Sequence, residues 1–125
     1  MRKYKETLEL PFPPSVNACY RAIPRGRICA VIVSKDGRAY KDRIKSMLSD
    51  DSKLLTDKRL MVSIRLFMPD RRRRDIDNYN KILLDSLTGI VWEDDSQIDI
   101  LTISRDEIIK GGKAILTIRE LWTLY

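Results

Sequence analysis

The chain has 125 residues, 43% hydrophobic and 34% charged, with a formal net charge of +6 and no histidine. That length supports one hydrophobic core, and the balance excludes a disordered tail. The missing imidazole excludes a Ser-His-Asp triad, a Cys-His dyad and the usual His-bearing zinc sites.

In chain order, "KYKETLEL" alternates loosely and predicts a first strand, ended by the Pro-rich "PFPPSVN". "RICAVIV" is a β-branched apolar run that predicts a second strand, and "SKDGRAY" reads as the turn leaving it. From Arg38 to about Ser49 the spacing of Tyr40, Ile44, Met47 and Leu48 predicts a helix. Its other positions, Arg38, Lys41, Arg43 and Lys45, are basic and are expected to face outward. "RLMVSIRLFM" is the clearest strand, with Leu60, Val62, Ile64, Leu66 and Met68 on one face. A second helix is expected from about Asn78 to Thr88, with Tyr79, Ile82, Leu83 and Leu87 as its apolar stripe and Gly89 as its C′ residue. After the acidic loop "WEDDS", the segments "QIDILTISRDEI" and "KAILTIREL" flank "KGG" and predict a hairpin. The sum is a small single α+β domain over residues 1–125, with a mixed sheet and two main helices.

No apolar run approaches a membrane span, and "MRKYKETLELPFPP" lacks the apolar core of a signal peptide. A cytoplasmic protein is the expectation. Cys19 and Cys29 are too few to close a structural zinc site and read as small buried or half-buried side chains in a reducing compartment. Residues 1–45 hold 11 Lys/Arg against 4 Asp/Glu, whereas residues 46–125 hold 13 against 14. The positive charge is therefore clustered in the N-terminal third and in the island Arg71, Arg72, Arg73 and Arg74. Clustered charge points to nucleic acid rather than to a solubility coat.

That island runs directly into "DIDNYNK". In an extended stretch Asp75 and Asp77 point the same way while Ile76 points inward. Asp77 also stands at the expected N-cap of the second helix, where the dipole favours its ionised form, and Lys81 lies about one turn on. Two converging carboxylates with no imidazole nearby suit a hard cation, Mg²⁺ first and Mn²⁺ second. Such an ion activates water and polarises a phosphodiester, with Lys81 supplying further positive charge or holding the water. The "EDD" cluster, Glu93 to Asp95, is the natural source of a third carboxylate.

Taken together, "MPDRRRRDIDNYNKILLDSLTGIVWEDDSQI" resembles the core signature of the RusA family of Holliday-junction resolvases. "PFPPSVNACYR", "SKDGRAYKDRI" and "KGGKAILTIRE" are similar to other stretches of the same family, so the resemblance extends through nearly the whole chain. It implies a homodimeric Mg²⁺-dependent endonuclease that acts on four-way DNA junctions with three aspartates and a lysine, and needs no organic cofactor. Carried over, these are Asp75, Asp77, Lys81 and most nearly Asp95, with Asp94 beside it as a second candidate ligand. Arg71 to Arg74 are the implied phosphate contacts, joined by Arg38 and Lys41 of the basic helix. Asn78 falls in the matching Asp-Asn pair and is expected to orient a ligand or cap the helix. The apolar tail "LWTLY" is a candidate interface segment. Two rival readings are a junction-binding module without catalysis, and an enzyme that uses D-x-D to hold a nucleotide diphosphate. The complete Asp-Asp-Lys-Asp set opposes the first. The chain's short length and lack of a Gly-rich loop oppose the second.

Overall fold

The computed structural model describes residues 5–48 and 55–121. Strand β1 (Lys5–Pro11) buries Leu8 and Leu10 on one face and runs one residue into the proline stretch. A single turn, α1 (Val16–Cys19), follows, with the Ser15 side chain accepting from the Ala18 backbone N–H. The chain then forms a separate two-stranded hairpin, β2 (Tyr20–Arg25) with β3 (Ile28–Val33). Its two-residue turn starts at Gly26, whose φ of +64° lies in the left-handed region open to glycine. The sequence pointed to β3 alone, because "YRAIPR" carries a proline and lacks apolar alternation. The hairpin leaves Cys29 exposed and only Cys19 buried, against the expectation that both are at least half-covered.

Helix α2 (Lys35–Met47) begins earlier than its apolar spacing suggested. "SKDGRAY" is not a turn: Ser34 is the N-cap and accepts from the Gly37 N–H at 3.2 Å. Gly37 is required there, since a Cβ at that position would sit 2.8 Å from the Cys19 carbonyl oxygen. Tyr40, Ile44 and Leu48 are buried, while Met47, expected on the apolar stripe, is exposed. Strand β4 (Leu60–Phe67) follows the alternation as read, with Leu60, Val62, Ile64 and Leu66 buried and Met68 buried just beyond its end.

The expected second helix is divided. A 3-10 turn (Ile76–Asn78) comes first, Tyr79 breaks the helical backbone at φ −121° and ψ −15°, and α3 (Asn80–Leu87) follows. Gly89, at φ +85°, ends it as expected. Another 3-10 turn (Asp95–Gln97) leads into β5 (Ile98–Arg105), and β6 (Lys113–Glu120) closes the fold.

The main sheet has the order β1-β6-β4-β5. Strand β6 is antiparallel to both neighbours, and β5 is parallel to β4. The expected hairpin between the last two strands is therefore wrong: β4 lies between them. Burial sorts the two. β6 alternates buried Ala114, Leu116 and Ile118 and takes a central place, whereas Asp99 to Thr102 of β5 are all exposed and suit an edge. The connection crosses the end of β4, where the Asp106 N–H donates to Leu66 O and the Ile109 N–H to Met68 O.

One face of this sheet carries the core. Tyr40, Ile44 and Leu48 pack with Ile82, Leu83 and Leu87 of α3 over the buried rows of β1, β6 and β4. Trp92 is fully buried beneath the end of α3, its indole N–H donating to Thr88 Oγ1 at 3.0 Å. The result is the expected α+β layout with a mixed sheet and two main helices. Among the described residues no helix is long and apolar enough to cross a membrane. Residues 122–125 of the apolar tail lie outside the described residues.

Candidate active site

The arginine run leaves the end of β4 as a tight loop organised by a residue that sequence reading passed over. Asp70 accepts from Arg74 Nη1 at 2.5 Å and Nη2 at 3.2 Å, and from the Arg72 backbone N–H at 2.9 Å. The Arg74 fork, with help from Arg72, lowers the Asp70 carboxyl to about 2. The spacing of Asp70 four residues before Arg74 was the available signal. Arg74 is thereby largely covered, and its carbonyl accepts from Arg105 Nη2 at 2.5 Å. Arg71, Arg72 and Arg73 remain exposed, and Arg71 and Arg73 have no ion pair among the described residues.

Directly after this loop, Asp75 has extended backbone and its carbonyl accepts from the Asn78 N–H. Ile76 is half-buried against the core, with the two aspartates exposed on either side of it. Asp77 is not the helix N-cap. It sits inside the 3-10 turn, and α3 starts three residues later without any side-chain cap. Neither the Asp75 nor the Asp77 carboxylate makes a hydrogen bond or ion pair among the described residues. Two free oxygen donors flanking an anchored isoleucine fit a hard divalent cation.

Lys81 lies in the first turn of α3 but contacts neither aspartate. Its Nζ is 3.3 Å from Asp85 Oδ2, one helical turn on, and 4.6 Å above the centre of the Tyr20 ring. The Tyr20 hydroxyl donates to the same Asp85 oxygen. Burial, then the Asp85 hydrogen bond and charge, push the Tyr20 phenol well above its usual range. The Lys81–Asp85 spacing was readable from sequence; the arrival of Tyr20 from the hairpin was not.

The acidic loop lies elsewhere. Gln97 is buried and donates to Thr56 O at 2.9 Å and Lys58 O at 2.8 Å, and its Oε1 accepts from the Asp94 N–H. These bonds fix Asp94 and Asp95 where the chain enters β4 and β5. Asp75 and Asp77 follow the exit of β4. Because β4 and β5 are parallel, an eight-residue strand of roughly 25 Å lies between entry and exit. One copy of the chain thus holds Asp75 and Asp77 in neighbouring positions at the exit of β4, with the 3-10 turn in place of the extended stretch expected there, and sets Asp94 and Asp95 at the other end of the strand. Among the described residues no group of three or more acidic or thiol side chains is placed to hold one metal ion. Asp94 is committed to the Ser96 N–H, which lowers its pKa, whereas Asp95 is exposed with no partner among the described residues. Glu93 is exposed as well.

Of the helix residues, Arg38 is exposed and donates to Val33 O at 2.8 Å. Lys41 is half-buried and, with Lys45, lines a groove of about 290 Å³ between α2 and α3 that reaches Asp85. The hairpin adds cations that the sequence reading did not single out. Residues 20–33 hold no acid, and Arg21, Arg25 and Arg27 are exposed with no partner among the described residues.

The family model described as Endodeoxyribonuclease RusA matches residues 11–119. The crossover junction endodeoxyribonuclease RusA of Escherichia coli (strain K12) is 39% identical over 118 residues, 92% of this chain and 94% of that protein. The corresponding protein of Shigella sonnei (strain Ss046) is 38% identical over the same shares. That of Enterobacteria phage 82 is 39% identical over 117 residues, 91% of this chain and 93% of its own. With nearly the full length matched on both sides, the chain belongs to the RusA family of endodeoxyribonucleases.

Proposed function

We propose that this protein is a homodimeric, Mg²⁺-dependent endonuclease that resolves four-way DNA junctions in the cytoplasm by paired phosphodiester hydrolysis. The observation that carries the reading is the pair of exposed carboxylates, Asp75 and Asp77, without partners among the described residues and set directly after an exposed arginine loop in a chain of this family.

In this reading each residue has a separate task. Arg71, Arg72 and Arg73 take DNA phosphates, with Arg74 shaping their loop, and Arg38 and Lys41 extend the basic surface. Asp75, Asp77 and Asp95 are the ligands for Mg²⁺, for which Mn²⁺ is the natural substitute. When bound, the ion would polarise the phosphodiester and lower the pKa of a water so that it more readily loses a proton to become the attacking nucleophile. Lys81, steadied by Asp85 and the Tyr20 ring, offers a fixed positive charge to the charge that builds on the phosphate oxygens. Its ammonium needs no proton transfer to do this.

The test is a cleavage assay on labelled four-way junction, linear duplex and flap DNA, with and without Mg²⁺. Symmetric nicking of the junction only when Mg²⁺ is present is expected. Asp75→Asn is expected to abolish nicking while junction binding persists, because the change removes a metal ligand and no phosphate contact. Tight binding with no cleavage of any substrate would sink the enzyme reading.

A further inference from the structure

The hairpin of β2 and β3 is a sheet of its own that pairs with no strand of the main one among the described residues. Apart from its own ladder, the hydrogen bonds described for it lie at its root. The Tyr20 hydroxyl donates to Asp85, the Ser34 N–H to Cys19 O, and Arg38 Nη1 to Val33 O. The outer end carries a different chemistry. Ile28 is 73% exposed and stands directly opposite Arg25, with Arg27 before it in the turn. Residues facing each other across the ladder share a face, and the period of two puts Arg21 on that face as well. A ribbon with three exposed arginines and no acid is complementary in charge to a polyanion. The large apolar side chain set between Arg25 and Arg27 is not needed for solubility or for the core.

We infer that this arm is a wedge for the branch point of four-way DNA: Arg21, Arg25 and Arg27 take backbone phosphates, and Ile28 enters a base step that the branch leaves open. This deepens the nuclease reading above and rests on its choice of four-way DNA as substrate. What it adds is how that substrate is told from linear duplex. Pushing an apolar side chain between two stacked base pairs requires that they unstack, which intact duplex resists. At a branch point the stack is already interrupted, so most of that cost falls away. The arginines bind either DNA, because phosphates are common to both, whereas Ile28 is rewarded only at the branch. The arm also has a defined reach. Five strand steps from Tyr20 to Arg25 span roughly 17 Å, and the Tyr20 ring lies under Lys81. The wedge therefore acts within about five base-pair rises of a phosphate held at Lys81.

Two binding measurements on the full chain test this, made without added metal so that no strand is cut. The first compares affinity for a four-way junction and for linear duplex built from the same arms. Ile28→Ser, a change at an exposed position, should lose about tenfold on the junction and about twofold at most on duplex. Arg25→Ala and Arg27→Ala should each weaken both alike and lower the salt slope by about 1. The second follows a fluorescent adenine analogue at the branch point, which brightens when its neighbour unstacks. The wild type and Ile28→Leu should brighten it, and Ile28→Ser should not. Equal losses on junction and duplex in Ile28→Ser, no brightening by the wild type, or the same brightening by the serine variant would each overturn the wedge. DNA affinity unchanged in both Ile28→Ser and Arg25→Ala, with a lower mass in light scattering, would give the arm to a second copy and overturn it too. Neither readout depends on cleavage. A wild type that meets both expectations yet cuts no junction in Mg²⁺ overturns the nuclease reading and leaves the wedge standing.

Discussion

The Tyr20 hydroxyl donates to Asp85 across 65 residues of sequence, and the same carboxylate holds Lys81. Tyr20 is also the first residue of the arginine-rich hairpin, so the root of that arm is fastened to the helix carrying the lysine. Tyr20→Phe keeps the ring under Lys81 and removes only the hydroxyl. We expect single-turnover junction cleavage to fall about tenfold with unchanged junction affinity, the scale typical of losing a supporting hydrogen bond at a site. Asp85→Asn should lose about 100-fold, since it releases the ammonium itself. The check that separates positioning from general stability is a Lys81→Ala background, in which Tyr20→Phe should have no further effect.

Asp70 and Arg74 predict a pH dependence. The folded carboxyl, near 2, lies below its ordinary 3.8, so the unfolded chain binds a proton there first as the solution is acidified. The contribution of the pair to stability is therefore fully present above about pH 4, declines as pH falls, and is gone below about 2. Denaturation of the wild type and Asp70→Asn, followed by circular dichroism, should show a constant gap at neutral pH that closes over that acid window. A gap independent of pH down to 2 would contradict the pairing.

The exposed arginines predict a salt signature. Arg71→Ala and Arg73→Ala should each reduce the slope of log binding constant against log salt by about 1, and weaken junction and duplex binding alike. Arg74→Ala is expected to behave differently, because Arg74 is covered by its own ion pair and shapes the loop. It should lower thermal stability as well as affinity. Titrations at several salt concentrations, with melting curves for each variant, distinguish the two classes.

Gln97 is the anchor of the acidic loop. Its side chain satisfies two carbonyls and one N–H, two of these bonds in part-buried surroundings and one fully buried. Gln97→Ala leaves all three without their partner and should cost about 3 kcal/mol, measured by urea unfolding. With the loop released, Mg²⁺ concentration for half-maximal cleavage should rise, while the affinity for junction DNA in the absence of metal stays level.

What could be read from sequence followed the strength of local patterns. β4 was plain because strict alternation over eight residues has only one good solution, and α3 ended where Gly89 said it would. β2 was missed because Pro24 and two arginines conceal a strand that is held only by its hairpin partner. The mistaken β5–β6 hairpin shows the limit of turn chemistry: "KGG" marks a reversal of direction, but which strands become neighbours is decided by which faces can be buried. At the site, Asp75, Asp77 and Lys81 stood out through their spacing. Asp70, Asp85 and Tyr20 did not, since a carboxylate within an i,i+4 pair looks like any surface helix charge. Asp95 was legible as a carboxylate, but its distance from Asp75 follows from the parallel β4–β5 pairing, which no local signal encodes.

The pairing of β1 with β6 has a consequence for how the molecule is made. Lys5 lies opposite Arg119 and Pro11 opposite Lys113, so β1 waits during synthesis for β6. Until then Leu8 and Leu10 have no sheet to join, and β4 lacks its central neighbour. Long-range closure of this kind slows folding and prolongs exposure of apolar strands. Synthesis through β6 is thus a precondition for the sheet, and a transcript truncated before β6 yields no partial nuclease. A ribosome-stalled chain ending before residue 113 should be fully protease-sensitive, with resistance appearing in a single step once Glu120 has emerged.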